Sequence, residues 1–579
     1  MRRMPAAMLA RSHSDGHLAG KSLIKHHYPP LTDNDPPAAH SAGIQPTTTC
    51  RLHNPHGAHY DGSYWSPAIS EITPLTRPLG PTVIRTMYAG HVAVMTLINL
   101  SIVTTQTVFA LFANRELAVQ YANLTVFYSA AFLSSVFLYP LVCYWIKPDR
   151  VPIVTGATAV GYAVSLTFFP GVYVTIPVNA VCGGMLGVLS VWQGEKVIGL
   201  AVQYAHVKVN ATSDAKSTAG EWYVWSQVWL QTGIMLAAIT CSVARMWVIP
   251  SEFKRVIVHP LDMQHHCGSH VCQHDVAARL HHPMMMDEAG DYLNMILFLL
   301  AGCVAGLGSL AAGLMVCFAR AQNNINHNRK QRGRSRAVVS HEQQPAEEEL
   351  LSGGSASDSS ECTSLQQHYS PPIISQLRGL VDLLCYNHKL QTLLPVCFLI
   401  GLHWAFMLTS FSQDFIECAL TADYVGWSLA VYAGSWALSL YVTYQMSRQI
   451  KRVHILIWIT FFQAGIEIVL STWLPGNHDV PVFFVMSGVL GLTQGAYSAL
   501  ITGLWIRIFA DDWTGSYSFM MAFKFAGCAF GLFLRAFVCV VVQVYILFAF
   551  LLVATGCFGL LEWKYSIYLS RTKQLGIFV

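Results

Sequence analysis

The chain has 579 residues, of which 53% are hydrophobic and 11% charged, with a mean hydropathy of +0.42. A water-soluble chain carries about 25% charged residues, so a chain this poor in charge must turn most of its surface to lipid. The formal net charge of +4 is too mild to suggest a nucleic-acid partner, and the basic residues are therefore read by position, as topology markers.

Residues 1–86 are rich in Pro, His, Ser, Thr and Asn without apolar periodicity, which predicts a disordered cytosolic tail. The opening "MRRMPAAMLARSHSDG" has no apolar core long enough for a signal peptide. Apolar runs of about 20 residues, the length a membrane-spanning helix needs, then follow. Six lie in the first half: Met87–Phe112, Leu124–Trp145, Ile153–Val172, Ile176–Gly199, Trp222–Val248 and Tyr292–Ala319. The long loop 249–291 between spans five and six is expected on the non-cytosolic side. A polar linker, 320–389, separates this half from six further spans: Leu390–Phe411, Tyr424–Met446, Val453–Leu474, Val480–Phe509, Tyr517–Val538 and Cys539–Trp563. Residues 564–579 form a second tail, and the last two spans require a tight turn near Cys539.

Charge fixes the expected orientation. Lys147 and Arg150 follow span two, Lys208 and Lys216 follow span four, and Arg329, Lys330, Arg332, Arg334 and Arg336 follow span six. Arg448, Lys451 and Arg452 follow span eight, Arg507 ends span ten, and Arg571 and Lys573 follow span twelve. Positive loops stay inside, so both termini and the linker are expected in the cytosol. The expected fold is all-α, with twelve transmembrane helices in two six-helix halves around a central cavity, as in major facilitators. The linker passes from a basic block, "NRKQRGRSR", suited to anionic lipid headgroups, to "EEELL" and "SGGSASDSSECTS", which offers phosphorylation sites.

Several segments resemble the Unc-ninety-three family of ion-channel regulatory proteins: "TTQTVFALF", "FYSAAFLSSVFLYPLV", "GYAVSLTFFPGVYVTIPVNAVCGGMLGV", "WSQVWLQTGI", "SQDFIECALTADYVGWSLAVYAG" and "CVVVQVYILFAFLLVATGCFGLLE". The likeness spans most of 88–248 and 391–568. The chain departs from the family pattern at Gln193-Gly194-Glu195-Lys196 and at Gly491-Leu492-Thr493-Gln494-Gly495. The resemblance implies a non-enzymatic membrane protein that regulates another integral membrane protein, with a potassium channel subunit as first choice. An escort that carries Toll-like receptors to endolysosomes is an alternative within the family. A carrier of a small neutral solute or lipid is the alternative outside it. The plasma membrane is the first expectation for location, ahead of endosome, lysosome or endoplasmic reticulum.

Helices one, four, seven and ten would line the cavity of such an architecture. The candidate polar residues are Asn99, Gln106, Gln193, Glu195, Lys196, His403 and Gln494, with Lys524 deep in span eleven. Ionisable groups inside spans are functional candidates because burying them in lipid is costly. Glu195 and Lys196 are adjacent and so point in different directions on a helix. Glu467 is placed in the outer part of a peripheral span nine, where a pair with Lys524 is not expected, and Arg535 at the non-cytosolic interface. No catalytic triad, phosphate-binding glycine loop or metalloprotease helix appears, and no cofactor is expected. Of three sequons only Asn123-Leu-Thr faces the glycosylating side.

The stretch "HHCGSHVCQH", His265–His274, offers Cys and His as a metal site would. On the oxidising side of the membrane a disulfide competes with that reading. Relatives in the resembled family carry Cys-Gly-x-x-x-Cys here, which implies a Cys267–Cys272 bridge. A metal site, free thiols and a bond to Cys418 are the alternatives. The flanking His265, His266, His270 and His274 have side chains suited to sensing acid.

Overall fold

The structure is a computed structural model that describes residues 80–112, 117–169, 171–209, 212–248, 267–271, 288–341, 373–420, 422–476, 478–509 and 513–574. The tail 1–79, most of the loop 249–291 (Cys272, His265, His266 and His274 included) and the acidic and serine-rich parts of the linker lie outside those residues. Among them there is no strand. Twelve helices are long and apolar enough to cross a membrane. They are α1 (Pro81–Phe109), α2 (Val119–Cys143), α3 (Pro148–Phe168), α4 (Val172–Ala205), α5 (Ser217–Met246), α6 (Asn294–Ala321), α7 (His388–Glu417), α8 (Ala422–Gln449), α9 (Arg452–Thr472), α10 (Val480–Ile508), α11 (Trp513–Arg535) and α12 (Val540–Ile567).

The polar linker holds more helix than its composition suggests. The helix containing α6 runs on to His341, and a separate helix forms at Ile373–Tyr386. The stretch after Ala321 contains Arg329, Lys330, Gln331, Arg332, Arg334 and Arg336, good helix formers that need no core. In the second segment Leu377, Leu380 and Leu384 recur at helical spacing, and Leu380 is buried. Two spans contain wider π-helical turns, Ser134–Leu138 in α2 and Met407–Glu417 in α7. Pro140, which has no backbone donor, follows the first.

The two halves repeat one packing scheme. In the first, α1 packs on α5 and α6, α2 on α4, and α3 on α4 and α6; in the second, α7 packs on α11 and α12, α8 on α10, and α9 on α10 and α12. The halves meet where α2 lies against α11 and α5 against α8. Exchanging the halves maps one of these contacts onto the other. The architecture is the expected one, all-α with twelve spans in two six-helix halves.

Small residues permit the close crossings, as in lipid, where helix association relies on packing rather than on hydrophobic expulsion. A Cβ at Gly183 or Gly187 of α4 would stand 2.0 Å from the Phe127 carbonyl or 2.3 Å from that of Ala131 on α2. The second half repeats the device at the same four-residue spacing. A Cβ at Gly491 or Gly495 of α10 would stand 2.2 Å from the Tyr432 carbonyl or 2.4 Å from that of Trp436 on α8.

Candidate functional site

At one end the two halves are tied together. Cys267, in the loop between α5 and α6, is disulfide-bonded to Cys418 at the end of α7, with a Cα–Cα distance of 5.7 Å. This corrects the expected Cys267–Cys272 bridge. Residues 268–270 form a 3₁₀ turn whose Gly268 has a φ of 88° and lies against Pro475 and the Trp473 carbonyl. The Val540 amide donates to the Val271 carbonyl at 3.1 Å. The loop is thus docked on the ends of α9 and α12, and Cys267 meets α7 instead of closing a local ring. Cys539 is disulfide-bonded as well.

Ion pairs reinforce the same end. Arg535 of α11 donates to Asp414 in the π segment of α7 at 2.7 Å, with both side chains buried. Its guanidinium lies 5.6 Å from the centre of the Tyr121 ring on α2, and the Tyr121 hydroxyl donates to Gln413. Arg245 of α5 stands 3.8 Å from Asp423 of α8. Each group joins one half to the other. Arg535, the last residue of α11, is therefore a buried ion-pair partner.

The middle of the bundle is filled by rings. The Trp404 indole of α7 donates to the Tyr128 hydroxyl of α2 at 3.1 Å, and that hydroxyl donates to Gln106 of α1 at 3.0 Å. Tyr128 stacks towards Phe525 of α11 at 6.3 Å, and Trp404 towards Tyr432 of α8 at 6.1 Å.

The sequence candidates are spent on internal bonds rather than gathered around one cavity. Asn99 donates to the Met95 carbonyl one turn earlier, and Gln494 donates to the Ile400 carbonyl at 2.6 Å. Gln193 is buried. Glu195 accepts from Tyr139 and Lys196 pairs with Asp149 at 3.0 Å, so these neighbours do take separate partners. Lys524 is half-buried and makes no ion pair with any described residue.

His403 does not face the centre. Its Nε2 lies 2.9 Å from Glu467 Oε1 on α9, and Gln463 Nε2 lies within 3.0 Å of that same oxygen. Thr493 of α10 donates to Gln463 Oε1. His403 Nδ1, 3.1 Å from the Leu399 carbonyl, must be the protonated nitrogen there, because a carbonyl only accepts. Glu467 is thus buried against α7, in the half of α9 that ends at Thr472. The pair is 64 residues apart, and the visible hint was the helical spacing of Gln463 and Glu467.

Asn123 is 0% exposed, and its amide donates to the Val119 carbonyl at 2.9 Å. A side chain enclosed between helices cannot carry a glycan in the folded protein, which corrects the expectation of glycosylation there.

At the opposite end lies a cavity of about 380 Å³ lined by Ser217 and Gly220 of α5, and by Tyr444, Arg448, Arg452, Gly503, Arg507 and Tyr565 of the second half.

This arrangement defines the class: an integral, multi-pass helical membrane protein built of two repeated halves, sealed by covalent and ionic bonds at one end and carrying a pocket between the halves at the other. The chain is similar in sequence to the unc-93 proteins. It is 24% identical over 199 residues to "Protein unc-93 homolog A" of Xenopus laevis, covering 34% of this chain and 42% of the relative. It is 24% identical over 181 residues to the "Putative potassium channel regulatory protein unc-93" of Caenorhabditis elegans, covering 30% of this chain and 25% of the relative. The chain thus spans less than half the length of the curated relatives it matches. No protein-family profile matches it. Among solved structures it is similar to the major facilitator superfamily transporter FucP in its outward conformation, with a TM-score of 0.48 and 11% identity, covering 82% of this chain and 96% of that one.

Proposed function

We propose that the protein is a membrane regulatory protein that binds another integral membrane protein through its lipid-facing helices, with a potassium channel subunit as the first partner to test. The observation that carries this reading is the occupied centre of the bundle. The rings of Tyr128, Trp404, Tyr432 and Phe525 fill the region where a carrier holds its solute, and Asn99, Gln106, Glu195, Lys196, His403 and Gln494 are bonded to other side chains or to backbone. The outward face of α9 meanwhile displays Trp458, Phe461 and Phe462, each more than half exposed. Aromatic side chains anchor interfaces effectively. The channel-regulatory name of the Caenorhabditis elegans relative supports the choice of partner. The orientation that accompanies this reading puts the Cys267–Cys418 end outside, where disulfides persist, and both termini in the cytosol, in the plasma membrane.

A second reading, a carrier of a small neutral solute, is favoured by the pocket that opens between the halves at one end while the other end is sealed. Affinity purification of the tagged full chain from native membranes separates the two. Near-stoichiometric recovery of a channel subunit is expected. Recovery of no membrane protein, together with solute flux in liposomes holding only this chain, overturns the regulatory reading.

A further inference from the structure

The end of the bundle opposite the disulfide carries an unusual concentration of guanidinium groups. Arg448 ends α8, Arg452 opens α9 and Arg507 sits in the last turn of α10. All three line the same cavity, with Tyr444 and Tyr565 beside them. Their charges are unevenly compensated. Arg448 pairs with Glu221 of α5 at 3.3 Å, and both are well exposed. Arg452 is only 5% exposed, and its one ionic partner among the described residues, Glu562, stands at 3.7 Å. That is beyond hydrogen-bonding distance, and the Arg452 guanidinium donates to no described residue. Arg507 is exposed and makes no ion pair with any described residue; Asp511 and Asp512 follow it in sequence but lie outside them.

Arg507 and Arg452 line the same cavity, so their like charges repel. Two guanidiniums that share one cavity repel at a cost in free energy, against which Glu562, 3.7 Å from Arg452, is the described counter-charge. An anion between them would remove the cost. A guanidinium offers a planar fork of donors that matches phosphate oxygens two at a time. Arg452 opens a helix, so the backbone dipole of α9 adds positive potential at the same place.

We propose that this pocket binds a phosphate-bearing headgroup, with Arg452 and Arg507 as its main ligands and Arg448, Tyr444 and Tyr565 at its rim. The cavity of about 380 Å³ has room for a phosphorylated ring. Its basic residues sit at the ends of membrane-spanning helices, level with lipid headgroups. The same chemistry is offered by a phosphorylated inositol lipid and by a soluble inositol phosphate. The pocket joins α5 of one half to α8, α9, α10 and α12 of the other, so an occupant would bridge the halves at the end opposite the Cys267–Cys418 bond. This site is separate from the partner-binding face on α9 and does not depend on it.

The test uses the purified full chain in detergent with short-chain phosphatidylinositol bisphosphate, phosphatidylserine and soluble inositol trisphosphate, reading binding by intrinsic tryptophan fluorescence and thermal shift. The bisphosphate lipid should bind more tightly than phosphatidylserine. Loss of a charge-assisted contact should weaken it roughly tenfold or more in Arg507→Gln, whose exposed side chain makes no ion pair with a described residue and can be exchanged without breaking the fold. Arg452→Gln should lose still more, and its melting temperature without ligand reports whether it folded. Competition by soluble inositol trisphosphate supports the site. If it binds as tightly as the lipid, the natural ligand is soluble; if much more weakly, the ligand is a lipid. Unchanged affinity in folded Arg507→Gln and Arg452→Gln, or a lipid signal that the soluble headgroup does not displace, would overturn the proposal.

Discussion

Replacing Cys418 with alanine tests how the outer end is closed. In the structure this removes the bond to Cys267, across a sequence separation of 151 residues. The chain-entropy relation for a loop of that length gives about 5 kcal/mol of lost constraint on the unfolded state. In a membrane that figure is an upper bound, because spanning helices persist when tertiary contacts are lost and much of the loop never becomes free chain. The assay is mass-tag counting of thiols in denaturant without reductant, beside thermal unfolding with and without reductant. With Cys418 bonded to Cys267, Cys418→Ala releases one thiol and gains one tag. Were Cys267 bonded locally to Cys272, Cys418 would already be free in the parent and the variant would lose one tag. The two outcomes differ in sign, so a lost tag refutes the assignment. The variant should also melt lower than the oxidised parent.

Other expectations concern packing and charge. Gly491→Leu drives a side chain into the Tyr432 carbonyl and should lower thermal stability by about 1–3 kcal/mol or more, whereas Gly465→Leu, whose Cβ meets nothing within 4 Å, should leave melting nearly unchanged. Arg535→Ala removes the ion-pair partner of the buried Asp414 carboxylate and should cost about 3–5 kcal/mol, with Arg535→Met/Asp414→Leu recovering much of the loss; equal melting of the single and double variants would argue against the pair. Asn123→Gln should leave electrophoretic mobility unchanged before and after glycosidase digestion, since the amide is enclosed between α2 and its neighbours.

Much of the fold was legible because its cause is local. A run of about 20 apolar residues has to be a helix in lipid, where every backbone donor and acceptor must be satisfied within the segment. Twelve such runs and an even division by a polar linker follow from hydropathy alone. The same logic failed for Ile373–Tyr386, too short to span and read as linker, although its leucines keep helical spacing. Gly183, Gly187, Gly491 and Gly495 stood in plain sight at four-residue intervals, but their carbonyl partners on α2 and α8 appear only when the helices cross.

Side-chain partners were the part hidden from sequence. His403 was legible as a polar residue in an apolar span, yet its rotation about the helix aims it at Glu467, and no pattern within either helix encodes that meeting. Arg535 and Asp414 lie 121 residues apart, and Arg448, Arg452 and Arg507 read singly as topology markers before the fold gathers them around one pocket. Cys267 has a cysteine five residues away, and the family resemblance implied a local ring. The docking of its loop on α9 and α12 set it beside Cys418 instead. Hydropathy acts along a single helix and is therefore written in consecutive residues, whereas ion pairs, disulfides and pockets depend on the rotation and crossing of separate helices, which only the packed bundle decides.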